Sequence, residues 1–396
     1  MHLKKAFLLA VIISISAKGF SNYKRDSANP VKVAVLLPLY LDSAFNGANY
    51  KLGNNNLPKY MLPGLDFYNG VMMAIDSLQQ EGKFIEVMIH DTKSKTKSLS
   101  SFLGEPDISS ASFIIASFTA KDELKKVADF AALKNIPLIS ATYPNDGGIT
   151  DNPNLVLINP TLATHIEGVF KYVQRNHSMD NIVLFKRKSD VMDKYIMENI
   201  IESSKKYSQL PVRISYVEVS DAFNSQEIIS KLDSNKTNIV IGATLNETFA
   251  GNIVRTLSSI KSSYKAIAIG MPTWDNMKEL KRSDTRGVEV VYSTPYNYLR
   301  SDKFLSKLAA NYNAKLNGKA SDMMFKGYEA MYHFTKLYLK HDDRFINNLS
   351  DRDFKITNEF DVQPVRIKND NTQIDYLENK KLYYVIKMDG VIKTVK

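Results

Sequence analysis

Phe113-Ile114-Ile115-Ala116 runs into Ser117-Phe118-Thr119, and further on Ile136-Pro137-Leu138-Ile139 runs into Ser140-Ala141-Thr142. Each apolar run is short and rich in branched residues, the mark of a strand buried on both faces. Between them, residues 121–134 form one amphipathic stretch. The three pieces predict a strand–helix–strand unit whose two hydroxyl-bearing ends face the same edge of one sheet. Ligands of open α/β sheets bind outside the carboxyl ends of the strands. Ser117, Thr119, Ser140 and Thr142 are therefore the first candidates for a binding site.

The alternation extends in both directions. Residues 31–37 read as a strand, and 66–79 as a helix, with Phe67, Val71, Ala74, Ile75 and Leu78 at helical spacing. A strand over 84–89 and a short helix over 98–103 complete this series. A second series starts at 155–158, which ends on the turn signal Asn159-Pro160. Helices over 162–174, 191–207, 225–232 and 247–260 then alternate with strands over 182–185, 212–217, 238–242 and 265–270. A strand over 288–292 and helices over 302–316 and 323–339 follow. From residue 344 the helical period is lost, and 381–388 and 391–395 read as strands around Asp389-Gly390. The pattern predicts an α/β protein of two doubly wound parallel-sheet lobes with right-handed crossovers. A long connection, residues 42–63, separates the first strand from its helix. It either overhangs a site at the strand end or is a solvated insertion.

With 396 residues, 44% apolar and 24% charged, the chain suits two soluble domains with sizeable cores. Residues 1–5 are basic and 6–15 apolar, and Ala17-Lys18-Gly19 offers a cleavage site, so residues 1–19 read as a signal peptide and 20–30 as a flexible lead-in. There is no cysteine. That excludes disulfides, thiolate metal sites, a catalytic thiol and a lipid-modified cysteine anchor. The six histidines show no metal-ligand spacing, so no metal is expected. Net charge is +10, and about +7 without Lys4, Lys5 and Lys18. The basic residues are interspersed with acidic ones, so a nucleic-acid partner is not expected.

No G-x-S-x-G, Walker A or G-x-G-x-x-G follows any strand. The pairs Asp122-Glu123 and Asp342-Asp343 sit where helix faces or caps explain them. No base stands near a nucleophile, so an enzyme is not expected, and neither is a cofactor. Thr119 itself has two readings. It is a fitting N-cap for the helix that follows, and it is also a hydroxyl at a helix start able to receive a carboxylate.

Three stretches carry a resemblance. Val33-Ala34-Val35-Leu36-Leu37-Pro38-Leu39-Tyr40, Phe67-Tyr68-Asn69-Gly70-Val71 and Lys134-Asn135-Ile136-Pro137-Leu138-Ile139-Ser140 resemble the type 1 periplasmic-binding fold, and more closely its leucine-binding-type ABC transporter substrate-binding proteins. The resemblance implies two lobes with an interlobe cleft that close over a small ligand. Lobe I would be 31–158 plus 294–344 and lobe II 159–293 plus 345–396, with crossings near Asn159-Pro160, Ser293-Thr294-Pro295 and Phe345. It implies ligand contacts from Ser117, Thr119, Ser140 and Thr142, and from Tyr40 after the first strand. Asp190, Trp274 and Asp275 are the matching candidates of the second lobe. Asp190 or Asp275 would meet an ammonium, and Trp274 is either an apolar wall or a core plug. Phe118 stands where many relatives carry small residues, and an outward ring there would fill the ligand space. The implied function is an exported solute-binding protein for an amino acid, short peptide or similar small polar ligand, in the periplasm or cell envelope, delivering to an inner-membrane permease. The alternative on the same fold is an envelope interaction protein, such as a regulator of peptidoglycan synthesis.

Overall fold

The structure, a computed structural model, describes residues 30–53, 56–297, 302–367 and 372–395. The predicted signal peptide and all of the lead-in but Pro30 lie outside the described residues. The chain forms two compact units.

The first unit opens with β1 (Val31–Leu37), a short α1 (Leu41–Ala44) and the hairpin strands β2 (Phe45–Asn46) and β3 (Asn49–Tyr50). Next come α2 (Leu62–Gln80), β4 (Ile85–Asp91), α3 (Leu99–Leu103), β5 (Phe113–Ala116), α4 (Lys121–Lys134), β6 (Leu138–Ser140) and β7 (Leu155–Leu157). After Pro160 the chain enters the second unit. This contains α5 (Leu162–His177), β8 (Asn181–Arg187), α6 (Val191–Lys206), β9 (Ile214–Val219), α7 (Ser225–Ile229), β10 (Asn238–Gly242), α8 (Glu247–Ser259), β11 (Ala266–Ile269) and β12 (Glu289–Thr294). After Asn297 the chain returns to the first unit with α9 (Lys303–Leu316), α10 (Asp322–His341), β13 (Val362–Val365) and β14 (Tyr376–Asn379). After Lys381 it ends in the second unit with β15 (Tyr383–Met388) and β16 (Val391–Val395).

Each unit is built on a seven-stranded sheet. The orders are β13-β14-β7-β6-β5-β1-β4 and β16-β15-β12-β11-β10-β8-β9. The central strands are parallel, as helical crossovers require, whereas β13, β15 and β16 run antiparallel to their neighbours. The sheets are thus mixed rather than purely parallel. Both faces of the first sheet are covered. Ile114, Leu138 and Leu155 pack with Leu124, Val127 and Ala131 of α4. Phe67, Val71 and Leu78 of α2 and Met331, Phe334 and Leu337 of α10 are buried as well.

Two expectations need correction. The helix placed at 66–79 starts at Leu62, with Pro63 in its first turn, where a missing N–H costs nothing. The 42–63 connection is therefore no bare loop, since α1, the β2–β3 hairpin and a 3-10 turn over Lys59–Met61 occupy most of it. The third crossing lies after Lys381 and not near Phe345. The reason is local pairing. Glu329 of α10 accepts the Thr357 and Asn358 N–H groups, and β14 pairs parallel with β7 through Leu377↔Val156 and Glu378↔Leu157. Loss of helical period at 344 marked the end of α10, not a change of unit.

Candidate functional site

The strand ends of the first unit gather most of the predicted polar groups. Parallel register sets Leu36 beside Ala116 and Ala116 beside Ser140. The ladder continues one residue further on each strand, as Ser117 N–H donates to Leu36 C=O at 3.0 Å and Ala141 N–H to Ala116 C=O at 2.9 Å. This leaves Ser117 Oγ 2.9 Å from Thr142 Oγ1. One of the two hydroxyls donates to the other, which keeps its own hydrogen free to donate. Asn159, just past β7, donates from Nδ2 to the Thr142 carbonyl at 2.7 Å. Three adjacent strand ends are tied together in this way.

Phe118 turns inward, into the core that holds Ala116, Leu124 and Ile149, so its ring leaves the hydroxyl pair clear. Thr119 is exposed, but it is not the cap of α4; Ala120 holds that position and offers no side-chain cap. Thr119 N–H and its hydroxyl both donate to Glu123 Oε2 at 3.2 Å. Glu123 Oε1 in turn pairs with Lys93 at 2.7 Å. Ser140, offered as a ligand contact, is fully buried, and its hydroxyl has no hydrogen-bond partner. It belongs to the strand interior because the sheet edge begins two residues later, at Thr142.

Tyr40 follows β1 in the left-handed region, with φ 56° and ψ 36°. That conformation is unfavourable for a residue with a bulky side chain and persists only when its surroundings enforce it. The enforcement comes from Asp91, at the end of the neighbouring β4. Its Oδ1 accepts the N–H groups of Leu39 at 2.9 Å, Tyr40 at 3.1 Å and Lys93 at 2.9 Å, and its Oδ2 accepts that of Leu41 at 2.8 Å. The Tyr40 ring meets Tyr60 edge-on at 4.9 Å, with Lys93 Nζ 5.8 Å from its centroid. Asp91→Ala strands these donors, so it is expected to cost about 3 kcal/mol of stability, read as a lower melting temperature. A variant within about 0.5 kcal/mol of the parent would mean that Asp91 does not hold the turn.

The second-unit candidates fare differently. Asp190 caps α6, accepting Asp193 N–H at 2.9 Å on Oδ1 and Arg187 at 2.6 Å on Oδ2. The Asp193 amide first, and then the Arg187 charge, hold its carboxyl below the usual range. Arg187 is further bound by the fully buried Asp193 at 2.9 Å. Trp274 is no ligand wall. Its indole is 0% exposed, and it lies so close to Gly270 and Gly242 that a Cβ there would come within 2.0 and 2.5 Å of it. The two glycines at the ends of β10 and β11 make room for a core plug. Asp275, next in the chain, is exposed and accepts from Tyr292 Oη at 2.7 Å.

Asp91, Lys93, Glu123 and Asn159 were missed by the sequence reading. The signal for Asp91 and Lys93 was their place just past the predicted strand over 84–89. Nothing in the sequence marked Glu123 as reaching back to Thr119. Among the described residues, His165 Nδ1 lies 2.9 Å from Ser293 Oγ. Both residues are buried, and burial pushes the imidazole down to about 3, so the ring stays uncharged near neutrality.

No protein-family model matches the chain, and no curated protein matches it by sequence. Solved structures do. A Rhodospirillum rubrum protein described as a branched-chain amino acid ABC transporter aligns at TM-score 0.64 and 12% identity, over 93% of this chain and 100% of that one. The fold is the type 1 periplasmic-binding fold. A branched-chain amino acid ABC transporter periplasmic ligand-binding protein of Burkholderia xenovorans aligns at TM-score 0.60 and 13% identity, covering 92% of this chain and 94% of that one. An ABC transporter substrate-binding protein of Desulfitobacterium hafniense, solved with Leu, aligns at TM-score 0.54 and 11% identity, covering 93% and 100%. At such identities the likeness extends to the fold and not to the ligand.

Proposed function

We propose that this protein is an exported binding protein that holds a small polar ligand without chemistry, for delivery to an ABC-type permease. The observation that carries the reading is the Ser117–Thr142 hydroxyl pair on adjacent strand ends, with Tyr40 held nearby by Asp91. Such a pair can donate and accept at once, and it stands where ligands of open α/β sheets bind. The inward turn of Phe118 supports the reading, because it removes the side chain that would have blocked this edge. Export rests on the basic and apolar start of the chain, residues 1–19, and places the protein in the periplasm or cell envelope.

The test is thermal unfolding across amino acids, short peptides and wall fragments. A ligand should raise the melting temperature with concentration, as mass action requires. Ser117→Ala and Thr142→Val should each weaken that ligand about tenfold, the value of one or two hydrogen bonds. A screen in which nothing shifts the parent protein, or a hit that both variants bind unchanged, overturns the proposal.

A further inference from the structure

At the central strand ends of the first unit, the Thr119 and Lys93 groups are already paired within the chain. The Thr119 N–H and hydroxyl, which together would receive a carboxylate, receive that of Glu123 instead. The Lys93 ammonium, which would receive a carboxylate as well, is taken by the same Glu123 at 2.7 Å. Asp91, at the end of β4, is occupied by backbone N–H groups. The Glu123 and Lys93 side chains are only 12% and 22% exposed. A charged ligand group that uses Lys93, Glu123 or Thr119 must break this pair, and a partly buried charge left without its partner is costly. Beside it lie neutral groups: the hydroxyl of the half-buried Thr142, bonded to that of the buried Ser117, and the exposed Tyr60 ring beside Tyr40.

We infer that this edge selects an uncharged ligand bearing hydroxyl or amide groups, and that Glu123 with Lys93 is the specificity device that turns away free amino acids. The inference rests on the binding reading above and narrows it. A zwitterion needs an anion partner and a cation partner together, and both are tied to each other. A sugar or a blocked peptide needs only donors and acceptors, which hydroxyls supply in both senses.

Three probes separate the cases on the full chain by calorimetry and thermal shift: L-leucine as the zwitterion, N-acetyl-L-leucinamide as a neutral amide, and D-glucose as a neutral polyol. At least one neutral probe should bind the parent protein, with leucine weaker by about tenfold or more. Glu123→Ala frees Lys93 and the Thr119 amide, so leucine should gain about tenfold while the neutral probe stays within about twofold. Lys93→Gln, as a second variant, leaves Glu123 without its cation and should admit the cationic L-leucinamide with a similar gain. Leucine binding the parent more tightly than both neutral probes overturns the inference and leaves the binding reading standing. So does a pair of variants that change neither charged probe. Silence of all probes on the parent and both variants overturns the inference and counts against the binding reading too.

Discussion

Gly327→Ala should lower the stability of the first unit by at least about 3 kcal/mol, the upper end of ordinary overpacking penalties. In a unit of this size that is a fall of about 10 °C in melting temperature. A glycine inside a helix normally costs about 1 kcal/mol relative to alanine, so the usual expectation is a gain. Here the geometry reverses the sign. A Cβ on Gly327 of α10 would lie 2.1 Å from the Phe67 carbonyl oxygen of α2. Reciprocally, a Cβ on Gly70 would lie 2.0 Å from the Met324 carbonyl and 2.7 Å from the Tyr328 amide nitrogen. The two helices cross backbone against backbone, and no flexible side chain can yield to relieve the clash. Separating them would open gaps beside Phe67, Val71 and Phe334, all fully buried.

The crossing also bears on function. A Cβ on Gly64, in the first turn of α2, would come within 2.3 Å of the Pro38 carbonyl, so α2 rests on the chain just before Tyr40. Displacing α2 therefore disturbs the turn that Asp91 holds. Gly70→Ala should behave like Gly327→Ala, and the double variant should cost less than the sum, because one shift of the helices accommodates both methyl groups. Thermal and urea unfolding decide the point. Either single variant melting at or above the parent temperature would show that the helices can part at no cost.

Much of the architecture was legible because buried strands and amphipathic helices carry opposite periodicities. Runs such as Phe113-Ile114-Ile115-Ala116 and Ile182-Val183-Leu184-Phe185 lie in strands, and the stretches between them form helices. The strand ends Ser117 and Thr142 were legible for the same reason, since a strand's end predicts where its edge lies. What escaped was whatever depends on contacts distant in sequence. Gly70 lies in the Phe67–Val71 stretch, yet only the close approach of α10, at Met324 and Tyr328, explains why no side chain is tolerated there. Trp274 was readable as either a wall or a plug, and the glycines that decide it precede it by 4 and 32 positions. The last crossing was misplaced because β13 and β14 join the first sheet through pairing with β7, which local period does not encode. Asp91 lies two residues past the strand read at 84–89, and its role appears only when the turn around Tyr40 folds over it.

Acidification below neutrality should destabilise both units, through two histidines buried in the neutral state. Burial pushes His165 in the second unit down to about 3. In the first unit burial likewise lowers His333, to about 4, against an opposing pull from the Phe354 backbone and the Asp351 carboxylate. In the unfolded chain both titrate near 6.5. The sign follows directly. Between 6.5 and these lower values the unfolded chain binds protons that the folded chain refuses, so stability is fully present above pH 6.5 and is lost as pH falls. Carried to completion, the losses are about 3 kcal/mol for His333 and about 5 kcal/mol for His165. Glu167, lowered to about 2 by its hydrogen bonds to Lys171 and Tyr207 against the cost of burial, adds a loss of the same sign between 4.5 and 2. Urea unfolding at pH 7, 5.5 and 4.5 should therefore give midpoints that fall steadily. His333→Phe tests the assignment, because its ring lies 5.1 Å from Phe334 and 5.2 Å from Phe360, among neighbours that accept a phenyl group. That variant should lose about one proton's worth of slope between pH 6.5 and 4. A parent protein whose midpoint is flat over this range, or a His333→Phe variant with the parent's slope, would mean that the buried imidazoles do not govern acid stability.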